Sequence, residues 1–187
     1  MRVLYGVTGG VAAVVTRKVV EALLTSGHEV QIVTTERSSH FFEPYEPKMA
    51  KLGVKVWTDA DEWPSAHYEK GSRVLHIDLR EWAEMILIAP LTANTLAKIA
   101  NGMADNLLTS IMRAWHLERP VVLAPAMNTL MWEHPVTETH LATLNGWYDS
   151  FAVVEPVVKT LACGDTGIGA LADAADIANV VDLQGWS

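Results

Sequence analysis

Residues 121–132 read Val-Val-Leu-Ala-Pro-Ala-Met-Asn-Thr-Leu-Met-Trp. The apolar run Val121–Ala124 has the length and continuity of a strand buried on both faces, as parallel strands are. A polar segment with helical spacing follows Trp132. A strand that runs through a short loop into a helix is the repeating unit of open α/β sheets. Such sheets bind ligands in the loops beyond the carboxyl ends of their strands. Asn128 stands in that loop with a side chain that both donates and accepts hydrogen bonds. It reads either as the N-cap of the next helix or as a ligand-binding group.

The same unit recurs outward in both directions. Arg2–Thr8 (RVLYGVT) is expected to form the first strand, Gly9-Gly10 a turn, Val11–Ser26 a helix stopped at Gly27, and Glu29–Thr35 a second strand. The two glycines allow close backbone approach, and the helix start beyond them attracts an anion. The pattern is not GxGxxG, so a plain tight turn remains an equal reading. Ser38 and Phe41, just past the second strand, can reach a phosphate and stack on a ring, or simply start a helix and fill the core. Val54–Trp57 is a short third strand, and Thr58–Ser72 (TDADEWPSAHYEKGS) reads as a polar surface excursion. His76 follows between apolar neighbours, either as a hydrogen-bonded structural residue or as a proton-transfer group. Met85–Ala89 is a fourth strand, apolar throughout. Pro90–Thr95 then turns into a helix whose start offers Thr92, Asn94, Thr95 and backbone N–H groups, which suit capping and phosphate binding alike. A second helix spans Ala104–Trp115, another opens at His134-Pro135 and ends at Asn145-Gly146, and Phe151–Glu155 is a sixth strand. Lys159–Leu171 (KTLACGDTGIGAL) has three glycines and the single cysteine, which is loop composition. An exposed cysteine in a flexible loop is a liability unless it is used, which favours a functional role for Cys163. Ala172–Val181 closes with a helix. The expected fold is a three-layer α/β/α Rossmann-like arrangement with a six-stranded parallel sheet in a single domain over residues 1–187.

Composition narrows the function classes. Half of the 187 residues are hydrophobic, enough for a sizeable core, and about 150 residues is a usual domain length. The net charge of −8 argues against general nucleic-acid binding. No apolar run approaches the roughly 20 residues of a membrane span, and the chain opens at once on a strand-like run, so neither a membrane segment nor a targeting peptide is expected. One cysteine cannot form an intrachain disulfide, which points to a reducing, cytoplasmic setting. No metal-ligand spacing stands out.

Three motifs carry a resemblance. Pro90-Leu91-Thr92-Ala93-Asn94-Thr95 resembles a P-x-S-A-N-T flavin motif, Pro125–Trp132 matches P-x-M-N-x-x-M-W, and Leu161–Leu171 resembles a substrate-clamp motif with a reactive cysteine. With these motifs the chain resembles the flavin-dependent cysteine decarboxylases, most closely those that act on phosphopantothenoylcysteine in coenzyme A synthesis, and the block VLHIDLREWAEMILIAPLTANTLAKIANGMADNLLTSIMRAW looks like the eukaryotic-type branch, with His76 at the catalytic histidine position. The likeness runs from about Arg2 to Asp173. It implies FMN as cofactor and a homo-oligomer, a trimer or a trimer-based dodecamer, with the flavin at a subunit interface. Gly9, Gly10 and Val11 would lie against FMN, Thr35, Ser38 and Phe41 would help hold it, and Ala126 would touch it. Thr92, Ala93, Asn94 and Thr95 would bind its phosphate and ribityl chain. Asn128 would bind the substrate carboxylate, with Met127, Ala162 and Leu171 around the substrate. His76 would be the base and Cys163 the proton donor.

The chemistry implied by the resemblance suits these residue types. A cysteine carboxylate has no electron sink to receive the electrons that CO2 leaves behind. Oxidation to a thioaldehyde creates one, decarboxylation gives an enethiol, and return of the electrons gives 4′-phosphopantetheine. An imidazole with an unperturbed pKa of about 6.5 moves protons near neutrality. Gly10 and Thr92 stand where relatives often carry serine, and Thr160 where they carry arginine, with Lys159 beside it as a substitute cation. Three other readings share parts of this pattern: a peptidyl-cysteine decarboxylase of a precursor peptide, a flavin prenyltransferase, and a non-catalytic regulatory flavoprotein.

Overall fold

The computed structural model describes residues 1–43, 47–64, 67, 70–160, 164 and 166–185. Its centre is a sheet of six parallel strands: β1 (Arg2–Val7), β2 (Glu29–Thr34), β3 (Lys55–Trp57), β4 (Met85–Leu91), β5 (Val121–Pro125) and β6 (Phe151–Val153). The order across the sheet is β3-β2-β1-β4-β5-β6. The chain therefore reverses its direction of growth between β1 and β4, and a crevice opens beyond their carboxyl ends at that switch point.

The helices are α1 (Thr16–Thr25), α2 (Pro47–Lys51), α3 (Asp59–Glu62), α4 (Leu75–Trp82), α5 (Ala93–Ala100), α6 (Leu107–Arg113), α7 (Thr129–Trp132), α8 (Pro135–Asn145) and α9 (Ala174–Gln184). Successive strand residues point to opposite faces, so each central strand feeds two cores. On one face Val3, Tyr5, Val7, Met85, Leu87 and Val122 pack against Val19, Val20 and Leu23 of α1 and Ile177 and Val181 of α9. On the other, Leu4, Ile86, Ile88, Val121 and Leu123 pack against Leu75 and Leu79 of α4, Leu96 and Ile99 of α5, Leu107 and Ile111 of α6, and Leu144 of α8. This two-sided burial explains why the β1, β4 and β5 sequences are near-continuous apolar runs. Each fully buried aliphatic side chain contributes about 1.5–3 kcal/mol, so this double core anchors the loops at the sheet's edge.

The fold departs from expectation in three places. The first helix begins as a 3-10 segment over Val11–Val15 before α1 takes over. The polar excursion after β3 contains α3, started by a capping box in which Thr58 Oγ1 and its backbone N–H both donate to Asp61 (2.8 Å each). Most of the glycine-rich stretch near the C-terminus is a hairpin, β7 (Val157–Thr160) pairing antiparallel with β8 (Thr166–Ala170). Its glycines serve close packing: a Cβ at Gly167 would sit 2.4 Å from Thr129 Oγ1. Glycine in a strand marks such an approach as readily as it marks a turn.

Candidate functional site

A cavity of about 1050 Å³ opens at the carboxyl edge of the sheet. That is at the upper end of the range for small-molecule and cofactor sites, roughly 300–1,000 Å³. Gly9, Gly10 and Val11 line it beyond β1, Thr35 and Arg37 beyond β2, Thr92–Thr95 beyond β4, and Ala126, Met127 and Asn128 beyond β5. Lys159, Thr160 and Gly169 of the hairpin, with Leu171 just after it, form a further wall.

Thr8 holds the floor together. Fully buried at the end of β1, its Oγ1 donates to the Pro90 carbonyl (2.7 Å) and accepts from the Thr92 N–H (2.9 Å). That link fixes the start of α5, where Thr92 is the N-cap and its Oγ1 accepts from Thr95 N–H (3.4 Å). In the first turn of a helix, the N–H groups have no intrahelical acceptor. Those of Ala93 and Asn94, both cavity-lining residues, therefore form a donor set suited to an anion. Gly9 completes the floor: a Cβ there would lie 2.4 Å from Arg37 Cβ, so the turns after β1 and β2 meet only because residue 9 has no side chain.

The charges around the rim are mostly paired. Lys98 hydrogen-bonds Asp105 and holds its carboxyl below the usual carboxylate range. Lys159 Nζ donates to Asp173 Oδ1 (2.8 Å) and lowers that carboxyl likewise. Asp59, from α3, accepts from the Leu107 N–H (2.9 Å) and so caps α6 at the cavity's far end.

The wall opposite α5 is the loop after β5. Ala126 N–H donates to Leu91 O (3.0 Å), and Met127 N–H donates to Gly169 O (2.9 Å), which ties the hairpin to the loop. Asn128 is the N-cap of α7, with Oδ1 accepting from Leu130 N–H (2.9 Å). Capping and cavity lining thus coincide in one residue, and the amide nitrogen carries the donors suited to a carboxylate.

Not every expected site residue is among the described residues that line the cavity. Ala162 and Cys163 fall outside the described residues. Ser38 and Phe41 are not among the described residues that line the cavity. Ser38 is buried and its Oγ donates to Thr35 O (2.7 Å), while Phe41 packs against the core and meets His40 edge-on. His76 is also outside the lining set, in the first turn of α4. Its Nδ1 lies 2.6 Å from Glu62 Oε1, and its backbone N–H donates to Glu62 Oε2 (3.0 Å). Glu62 sits in the stretch that reads as a surface excursion and carries no functional signature. The Thr58-x-x-Asp61 spacing is the signal the sequence carries, because it starts the helix that buries Glu62. Thr8 is equally inconspicuous, distinguished only by ending an apolar strand beside two glycines.

The profile of the Flavoprotein family matches residues 1–184. The chain is 48% identical over 177 residues to mouse (Mus musculus) phosphopantothenoylcysteine decarboxylase, covering 94% of this chain and 83% of the mouse protein. The chain belongs to the flavoprotein family. The Arabidopsis thaliana phosphopantothenoylcysteine decarboxylase is 45% identical over 182 residues, covering 97% of this chain and 84% of its own. Among solved structures, a PPC decarboxylase mutant complexed with pantothenoylaminoethenethiol superimposes with a TM-score of 0.88 at 44% identity, over 100% of this chain and 98% of that one. The FMN binding protein AtHal3 does so with a TM-score of 0.85 at 45% identity, over 97% and 95% of the two chains.

With these relatives this flavoprotein shares its sheet topology, FMN as cofactor and phosphopantothenoylcysteine decarboxylase activity. The cavity fits the cofactor in chemistry as well as size. It offers N–H and hydroxyl donors for a phosphate at the start of α5, and small or apolar surfaces at Gly10, Val11, Ala12 and Ala126 for a planar ring. No helix among the described residues is long and apolar enough to cross a membrane.

Proposed function

We propose that this chain converts 4′-phospho-N-pantothenoylcysteine to 4′-phosphopantetheine in the cavity at the carboxyl edge of its sheet. The observation that carries this reading is the meeting, in one cavity, of the α5 start, the Gly9-Gly10 turn, the Met127-Asn128 loop and the β7–β8 hairpin. Thr92, Ala93, Asn94 and Thr95 hold the phosphate and ribityl chain of FMN, while Gly9, Gly10, Val11 and Ala126 lie along its ring. Thr35 contributes from the β2 side, with Ser38 and Phe41 supporting that turn from behind. Bound FMN supplies the two-electron chemistry that gives the departing carboxylate an electron sink.

The chain's own residues bind, orient and move protons. Asn128 donates to the substrate carboxylate without adding a positive charge that would hold it back from leaving. Met127, Ala162 and Leu171 bound the substrate. His76 is the base, and Cys163 supplies the proton that completes the product. Lys159, at the rim, takes the phosphate contact that arginine at position 160 would make. We place the protein in the cytoplasm as a homo-oligomer, a trimer or a trimer-based assembly. Val11, Val14 and Met131 leave an apolar rim exposed around the cavity mouth, which is suited to cover by another copy.

The test is decarboxylation by the FMN-loaded protein of 4′-phospho-N-pantothenoylcysteine beside a peptide ending in cysteine, with products identified by mass spectrometry. Formation of 4′-phosphopantetheine with the peptide untouched is expected. Turnover of the peptide alone would transfer the assignment to peptidyl-cysteine decarboxylation, and turnover of neither would favour a non-catalytic role.

A further inference from the structure

Glu62 is an acidic side chain with only 5% of its surface exposed, although it ends a four-residue helix in a polar stretch. A buried carboxylate is costly unless its oxygens are hydrogen-bonded. Here both oxygens go to one residue, fourteen positions on: Oε1 to His76 Nδ1 and Oε2 to the His76 N–H. An ionised carboxylate can only accept, so the ring nitrogen at 2.6 Å must be the donor. In a neutral His76 ring that bond selects the Nδ1–H tautomer. Its Nε2 is left as the nitrogen with a lone pair, in a side chain that is 23% exposed.

We infer that Glu62 is the positioning residue of the histidine base. It fixes the ring's orientation through two bonds and fixes the tautomer through one of them. When Nε2 takes the proton that the substrate gives up, the substrate's bond to it breaks and an imidazolium forms. Glu62 stays unprotonated and faces the new positive charge through Nδ1–H. The proton later leaves Nε2 for solvent. The inference rests on His76 acting as base. It adds a second residue to that role, from the helix whose first residue, Asp59, lines the cavity.

A helix-capping role alone would account for the bond to the His76 N–H, because Oε2 meets a first-turn donor of α4. It would not account for the bond to the ring, and the two roles separate in Glu62→Gln. Glutamine keeps the shape and one acceptor oxygen, which the backbone N–H takes. Its NH2 then faces Nδ1, so the ring must accept there and carry its proton on Nε2. A base with that nitrogen blocked is inactive even in intact geometry. The equivalent aspartate-to-asparagine change in a Ser-His-Asp triad lowers kcat by about 10⁴.

The experiment pairs kinetics with ¹⁵N NMR of His76 in the FMN-loaded wild type and Glu62→Gln. The expected result is an Nδ1–H tautomer in the wild type and Nε2–H in the variant, with kcat lowered by about 100-fold or more, KM within about threefold, and FMN binding and melting close to wild type. A variant with unchanged kcat, or a wild-type ring already in the Nε2–H form, overturns the inference. The spectrum needs no turnover. A wild type that decarboxylates nothing therefore counts against the proposed function, while its tautomer still decides the role of Glu62.

Discussion

Replacing Gly169 by alanine should uncouple the hairpin from the substrate loop. Gly169 has φ 145°, and a methyl group there would lie 2.1 Å from the Met127 carbonyl oxygen. An ordinary C···O contact is about 3.3 Å or more, so β8 must retreat by about 1 Å. Retreat breaks the 2.9 Å bond from Met127 N–H to Gly169 O. A non-glycine residue at this φ costs about 1–3 kcal/mol, and the lost bond about 0.5–1.5 kcal/mol. The sum, about 2–4 kcal/mol, falls on a two-stranded hairpin packed at the edge of the molecule, so local undocking relieves it before the core unfolds. Hydrogen exchange reads this at one amide: Met127 should exchange about 30-fold to 1,000-fold faster, at 1.4 kcal/mol per tenfold. KM for the substrate should rise by about tenfold or more, because the hairpin and the Met127-Asn128 loop, which both line the cavity, are no longer tied together. Gly164→Ala is the control. Gly164 also has positive φ (92°), but a Cβ there meets no atom of the described residues within 4 Å, so strain arises with no clash among them. Unchanged Met127 exchange in Gly169→Ala, or equal acceleration in the control, would refute the close approach as the cause.

Two further outcomes follow from buried groups. Thr8→Val keeps the volume but leaves the Thr92 N–H without its acceptor and the Pro90 carbonyl with only the longer bond from the residue 8 N–H (3.3 Å). At about 1–3 kcal/mol and about 2–4 °C per kcal/mol, the melting temperature should fall by about 2–12 °C, with weaker FMN binding in a fluorescence titration. Burial pushes the Tyr148 hydroxyl up to about 12, against the opposing charge of Arg113, while Tyr148 donates to Met112 O (3.4 Å). A folded-state pKa above the unfolded value of about 10 means a contribution fully present below pH ~10 and lost as pH rises through the folded pKa. Tyr148→Phe should therefore flatten the loss of stability between about pH 10 and pH 12 in urea melts, and an unchanged slope would contradict the assignment.

The parts of the fold that read directly from the chain are those where one physical requirement dominates. β1 beyond its exposed first residue Arg2, and β4 and β5 throughout, are buried on both faces and are therefore near-continuous apolar runs. The boundaries of α8 follow from Pro135 at its first position and Gly146 just past its end. Gly167 and Gly169 are ambiguous in sequence, because the same residue type serves turns and close packing, and only the partner surface (Thr129 and Met127) distinguishes them. The site divides in the same way. Thr92, Asn94, Ala126 and Asn128 follow strands directly, so topology alone brings them to one cavity. Thr8 and Glu62 act through hydrogen bonds to residues 84 and 14 positions away, and such pairings leave no periodicity to read.

The most direct test of the site is a crystal structure of the chain with FMN. The phosphate should rest on the N–H groups of Ala93 and Asn94, and the ring should lie along Gly9–Val11 and Ala126 with one edge toward Asn128. A flavin bound elsewhere, with Thr92–Thr95 facing only solvent, would contradict the account of the cavity.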